Sequence, residues 1–422
     1  MTSRDFECRS MCLGVLLLAL LIAGAVLVVV SRRKPSASLD GLQPLLATRR
    51  FDQAESLIRE YLKIHPASVQ GNMLMAQVAL ERDDQKPRLA LDHLGRINAR
   101  DHATRAIVML NLGKAYSALG WNDRAEMAWK AALKLEPRVP EAGWNLLSLY
   151  YVEGRRAEAH RFGMALRVTE PDPRDRAQLL LELVRHDAQP LGPDSLMLTL
   201  EPIVRKYPRD LHMAIALGLA LVRNSRVDEG LSNLRDLAER FALDPDARDA
   251  LLLGLDEAGK FDDLASEMDR LPSAMVSDPQ FDRHRGAIAQ QRQDWPVAAE
   301  QYESAWRRDP SDFRVLYRLS RALRMVGRLA DADAFDQKVH AAQDAKDRIL
   351  PLYEDANAVK TLGTAPHADI YHRLANLRER MGRDDEAIAW HSMVLEHQPD
   401  DKESKAAIAR LNAAKAEITA SH

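Results

Sequence analysis

The chain has 422 residues, 46% apolar and 5% aromatic, with a formal net charge of −3. A single compact core rarely grows that large, and a charge near zero excludes wholesale electrostatic binding to nucleic acid, which needs concentrated positive charge. Both cysteines, Cys8 and Cys12, lie at the N-terminus, which excludes a disulfide framework and a cysteine-type zinc site from the rest.

Residues 1–10 form an N-terminal tail carrying Arg4 and Arg9. Residues 11–30 contain no charge and no strong polar group. Twenty residues at about 1.5 Å each span a bilayer core of about 30 Å, so a transmembrane helix is predicted. Ser31, Arg32, Arg33, Lys34 and Pro35 stop the run. The rival is a cleavable signal peptide, but its apolar core would be shorter, and Ala23-Gly24-Ala25 sits inside the run rather than after it. The expected location is a membrane of bacterial cell-membrane type, crossed once. Basic residues on both sides leave open which side the remainder faces. A reversible lipid on Cys8 or Cys12 is an alternative to two plain thiols. Residues 31–41 read as a linker.

From 42 to 400 the sequence reads as about ten helix–turn–helix units. Ala54, Ile58, Tyr61 and Pro66 mark the first, and Met75, Ala76, Ala79, Ala90, Leu94 and Ile97 a looser second. The best-formed units are 106–139, 140–173, 279–312, 313–342 and 368–401. Less regular units lie between 173 and 279, and an irregular stretch runs from 343 to 367. Residues 402–422 read as a capping helix and tail, with Ile408, Leu411 and Ile418 available to cover the last unit.

Two consecutive segments carry the clearest pattern. Met109, Leu112, Gly113, Tyr116, Ala125, Trp129, Ala132 and Pro137 recur, shifted by 34, as Gly143, Leu146, Leu147, Tyr150, Ala159, Gly163, Leu166 and Pro171. Small residues let paired helices approach, large ones fill the gap between hairpins, and proline ends the second helix. The pattern resembles the tetratricopeptide repeat family. That resemblance implies an all-α fold, an α-α superhelical solenoid of helical hairpins, preceded here by the predicted membrane helix. A coiled coil would hold a heptad seam without these Gly and Pro breaks, and a HEAT array has a longer repeat.

Sites of chemistry are sought without success. The stretch from Gly254 to Phe261 matches G-x-x-x-x-G-K, but Phe261 stands where Ser or Thr must hold magnesium, and no strand precedes it. It reads as a helix–helix turn. Neither an H-E-x-x-H nor a G-x-S-x-G motif occurs. His65, His340 and His397 read as cations near helix C-termini. The acidic pairs Asp83-Asp84, Asp262-Asp263, Asp384-Asp385 and Asp400-Asp401 read as caps. No enzyme activity, cofactor, metal, small-molecule substrate or nucleic acid is expected.

The resemblance implies that the first helix of each unit lines a concave groove. In the 313–342 unit the groove positions are Arg314, Tyr317, Arg321 and Arg324, with Arg318 beside them; the unit before supplies Gln280, Arg283, Ala287 and Gln290. The last unit supplies Asp369, His372, Asn376 and Glu379, and the early units Leu110, Lys114, Ser117, Glu141, Trp144, Ser148 and Tyr151. Arginine forks bind carboxylates in pairs, so an acidic peptide or a free C-terminal carboxylate is the expected ligand. The alternative is a solvated basic face, or arginines paired with acids of adjacent helices. Exposed Trp144 and Tyr151 would favour an apolar or extended peptide, with burial against the next hairpin as the alternative. The expected function is a membrane-tethered scaffold that binds a partner peptide or protein in the groove. The alternative is an accessory subunit of a cell-envelope biogenesis or polysaccharide/secretion enzyme complex.

Overall fold

The computed structural model describes residues 38–137, 139–190, 192–359, 362–363 and 367–420. Among them, every regular element is a helix. They form two compact units, one ending at Arg100 and one beginning at Asp101.

The first unit contains α1 (Leu42–Ala47), α2 (Phe51–Ile64), α3 (Val69–Glu81) and α4 (Pro87–Leu94). Leu42, Phe51, Ala54, Ile58, Met75 and Val78 form its core. Asn72 is fully buried, and its amide is satisfied by the carbonyls of Pro66 and Ser68 and by the His93 ring 2.8 Å away. Asp83 and Asp84 sit in the turn after α3, where they pair with Arg49 and Arg82.

The second unit is a run of hairpins. Its first helices are α5 (His102–Ala118), α7 (Pro140–Val152), α9 (Pro173–Ala188), α11 (Leu211–Arg223), α13 (Pro245–Glu257), α15 (Asp282–Gln291), α17 (Phe313–Met325) and α19 (Ala368–Arg380). Each is followed by its second helix: α6 (Asn122–Leu135), α8 (Arg156–Thr169), α10 (Pro193–Lys206), α12 (Val227–Arg240), α14 (Phe261–Asp269), α16 (Trp295–Arg308), α18 (Leu329–Asn357) and α20 (Asp384–His397). Then comes α21 (Lys402–Ala420).

Local chemistry sets these boundaries. Asp210, Asp244 and Asp312 precede first helices, and each carboxylate accepts N–H groups of the first turn. Asp278 does the same for the 3₁₀ turn that opens onto α15. The Gly120, Gly154, Gly259, Gly327 and Gly382 turns all have positive φ, which costs glycine nothing. Close approach explains other glycines. A methyl on Gly230 would lie 2.7 Å from the Gly218 carbonyl oxygen and 2.8 Å from the Val222 nitrogen. The Gly254–Phe261 stretch is the end of α13, a glycine turn and the first residue of α14; Gly254 is buried against Leu234.

One stretch departs from the sequence expectation. The irregular segment after 342 begins as helix: α18 runs 29 residues without a break, through Pro351. No Gly-rich turn stops it, and its added turns bury Ala345, Ile349, Leu352, Tyr353 and Ala356. That extension packs on α9 and merges residues 110–221 and 345–394 into one core. It also puts His340 inside a helix rather than near its end. Residues read as a capping helix and tail are helical as α21, which packs on α20 and buries Ser404, Ala407 and Leu411.

The membrane reading is corrected. Among the described residues no helix is long and apolar enough to cross a membrane. The helix read at 11–30 lies outside the described residues, so no element of the structure supports a single-pass membrane protein.

Candidate functional site

In the second unit the first helices line an inner face. Repeats of 34 residues bring equivalent side chains of neighbouring first helices together, and on α11, α13, α15 and α17 those side chains are charged. His212 lies 3.4 Å from Asp246, and Gln280 donates to the other oxygen of Asp246 at 3.3 Å, each 34 residues away. Arg223 donates to Glu257 at 2.8 and 2.9 Å, again 34 residues on. Arg283 and the fully buried His284 both bind Asp249. Burial raises the Asp249 carboxyl, but Arg283 and His284 outweigh it and hold its pKa below the usual range. Burial opposes charge on His212, yet its bond to Asp246 leaves its pKa raised.

Two cavities open on this face, of about 660 and 940 Å³. They adjoin, sharing Glu158, Asp246, Asp249 and Arg283. The smaller is bounded by residues from α8, α13, α15, α16, α17, α21 and the turn into α20. Beside it, α8, α9, α19 and α20 are joined by a buried ionic cluster. Arg378 on α19, 1% exposed, donates at 2.7 Å both to Asp187 on α9 and to Glu386 on α20. His160 on α8 lies 2.7 Å from Glu386. Burial pushes the Glu386 carboxyl up, but the Arg378 charge and the His160 contact overcome it and hold it at about 2. Glu153 shows the opposite balance. Burial exceeds its contact with Arg155, 2.9 Å away, and its pKa rises to about 7.

Of the arginines read as groove residues, Arg283 and Arg314 line these cavities, and all but Arg321 are already engaged by acids. Arg283 holds Asp249, and Arg314 holds Glu257. Arg318 grips Asp256 with both terminal nitrogens, at 2.8 and 2.9 Å. Arg324 bonds Asp333 at 2.9 Å and also reaches Asp336 on α18. Arg321 differs: its guanidinium lies 5.7 Å from the centre of the Trp295 ring, with no carboxylate in reach among the described residues. Tyr317 stands free, 56% exposed. An acidic ligand at Arg318 has to displace Asp256, which would lose a two-point, charge-assisted pair.

Trp144 and Tyr151 are half-buried and pack on the core. Tyr151 stacks on His186 with rings 16° apart. Lys114 is paired with Glu141. The acids that neutralise the arginines, Asp246, Asp249, Asp256 and Glu257, went unread in the sequence. The signal was present, since Asp249 precedes Arg283, and Arg223 precedes Glu257, by 34 residues. Among the described residues no three His, Cys, Asp or Glu side chains are grouped to hold a metal ion.

Chemically, the inner face is a set of fixed donors and acceptors of both signs. It suits an extended polypeptide, whose backbone and side chains carry both kinds.

Tetratricopeptide repeat family models match residues 106–138 and 285–346. No curated protein matches the chain. Among solved structures the chain is similar to the Cut9-Hcn1 hetero-tetramer of the APC/C, at 15% identity over 88% of each chain, TM-score 0.31. It is similar to yeast Tom70 at 11% identity, over 89% of this chain and 88% of that one, TM-score 0.31. Similarity to a human IFIT1 dimer with m7Gppp-AAAA is 14% identity, over 78% of this chain and 90% of that one, TM-score 0.35. The first matched segment lies on the α5/α6 hairpin and the second runs from α15 into α18. With repeats of 34 residues built as helical hairpins, the chain is a tetratricopeptide-repeat protein.

Proposed function

We propose that the protein is a protein–protein interaction scaffold that holds an extended segment of a partner protein along the inner face of residues 101–420. The observation that carries this is the pair of adjoining cavities, about 660 and 940 Å³; the larger is walled mainly by first helices from α7 to α17, the smaller also by α8 and α16, and charged side chains line both. A wall of paired charges binds by exchanging hydrogen bonds, so the partner contributes polar groups of both signs. Tyr317 and Arg321 share α17 with Arg314 of the larger cavity and are not tied to an acid, and tyrosine and arginine are the types that concentrate binding energy. Tyr151, Arg283 and Arg314 line the larger cavity, and Arg318, Arg324 and Trp144 are further candidate contacts.

The test uses the full chain and a library of extended peptides, read by fluorescence anisotropy. Tyr317→Ala with Arg321→Ala removes two candidate contacts without breaking an ion pair. Selected peptides should bind this variant at least about tenfold more weakly, which is the loss of one hot-spot contact. Unchanged affinity across all selected peptides would remove the inner face as the site.

A further inference from the structure

On the inner face Arg223, Arg283, Arg314 and Arg318 are neutralised by acids. Elsewhere in the second unit the arrangement is reversed. The turn between α5 and α6 meets the turn between α10 and α11, and together they enclose a notch of about 450 Å³. Its floor is firmly built. Gly120, at φ +68°, lets the Tyr207 ring lie directly on the backbone, where any Cβ would collide with it. The Tyr207 hydroxyl donates to the Ala118 carbonyl at 3.2 Å. Below, the Asn122 amide donates to buried Asp210 at 2.6 Å, and Asp210 also accepts the Met213 N–H. The only acid in the floor is thus fully occupied by neutral donors.

The rim is cationic and aromatic. Arg124, Lys206 and Arg209 line it, all exposed. Among the described residues none of the three has a carboxylate partner, in contrast to Arg223, Arg283, Arg314 and Arg318. Arg124 lies over the Trp121 ring at 4.9 Å, and Lys206 over Tyr207 at 4.9 Å. Trp121 is 41% exposed. Asp123 is the single exposed acid on the rim, against three cations.

We propose that this notch is a second docking site, for an acidic protein segment that carries an apolar or aromatic side chain. Carboxylates of the segment engage Arg124, Lys206 and Arg209. Its apolar side chain lies on Trp121, Tyr207 and Pro208. Charge complementarity selects the occupant: the uncommitted cations demand an anion, and the aromatic floor demands a flat apolar group beside it. Asp123 sits where a continuous phosphate backbone would be repelled, and the cations ring one notch rather than tracking a groove, which favours a peptide over a nucleic acid. The site is separate from the inner face and does not depend on the reading given to it.

The test uses the full chain and a fluorescein-labelled peptide of alternating glutamate and phenylalanine. Wild-type protein should bind it, with affinity falling as salt rises. Arg124→Ser, Lys206→Ser and Arg209→Ser together should weaken binding about 10- to 100-fold, the sum of three exposed ion pairs. Trp121→Ala alone should weaken it about tenfold with the salt dependence retained. The Tyr317→Ala, Arg321→Ala variant should bind as wild type does. Unchanged binding by the triple serine variant would overturn the proposal, and loss in the Tyr317/Arg321 variant instead would assign the acidic peptide to the inner face. Full displacement by equimolar inorganic phosphate would make the notch a small-anion site. Tighter binding of a single-stranded oligonucleotide than of the peptide would equally refute it. Circular dichroism of each variant separates these outcomes from unfolding.

Discussion

Arg378→Ala tests how α8, α9, α19 and α20 are joined. Arg378 and Glu386 are each 1% exposed, and Asp187 completes the cluster across helices far apart in sequence. Removing the guanidinium leaves a buried carboxylate whose burial is offset by His160 alone. Breaking a buried pair in this way costs about 3–5 kcal/mol. The loss should be confined to the second unit, because α2 and α3 belong to the first unit, which has its own core. Native-state hydrogen exchange read by mass spectrometry measures it. Protection should fall roughly 10²- to 10⁴-fold in peptides from α9, α19 and α20, and stay unchanged in peptides from α2 and α3. The penalty should also depend on pH. In the wild type the Glu386 pKa is depressed to about 2, so its stabilisation is complete above the ordinary value of 4.5 and is lost as pH falls toward 2. In the variant that pKa moves up, since only His160 still opposes burial, and protonation relieves the under-paired charge. The gap between the two proteins should therefore shrink between pH 7 and pH 4. A loss under about fivefold at α9, or an equal loss throughout the chain, would refute this role of the cluster.

Three further outcomes follow from the same reasoning. Glu153, 3% exposed, has a pKa raised from 4.5 to about 7, so the stability it contributes is complete below 4.5 and lost as pH rises through 7. Glu153→Gln should gain on the wild type between pH 5 and pH 8, by up to ~3 kcal/mol in thermal or urea melts, and a difference flat with pH would contradict this. Gly230→Ala should destabilise by about 1–3 kcal/mol, since the added methyl meets the Gly218 and Val222 backbone as well as the Val222 side chain; a neutral melt would show that α11 and α12 do not pack so closely. Asp244→Ala removes the acceptor for the Asp246 and Ala247 N–H groups and should cost about 1 kcal/mol, with exchange faster at the start of α13 only.

Much of the fold was legible because the repeat writes its packing into residue size. Gly113 lies against Trp129, Gly143 against Leu166 and Gly286 against Tyr302, the small-to-large matches that the period exposed. The length of α18 was not legible, since nothing local distinguishes a helix that continues from a connection that does not. What fixes it is tertiary: Ile349, Leu352 and Tyr353 are buried in the core that α9 shares, more than 150 residues away in sequence. The candidate site was legible as positions but not as charges. Arg314 and Arg318 were found by their place in the repeat, whereas their partners Glu257 and Asp256 sit in another helix, 57 and 62 residues back. A single-helix view shows a basic face, and only the stacked helices show a neutral one. The notch at Trp121 and Tyr207 escaped for the same reason, because Asn122 and Asp210 meet across 88 residues.

The central claim, that a partner segment lies on the inner face, is tested most directly by photo-crosslinking in the full chain. A photoreactive residue replaces Tyr317, and a second protein carries it at Met127, which is 71% exposed. The account predicts one discrete adduct from position 317, mapping to a single segment of a single protein, and none from position 127. Equal adducts from both positions, or an adduct from 127 alone, would contradict it.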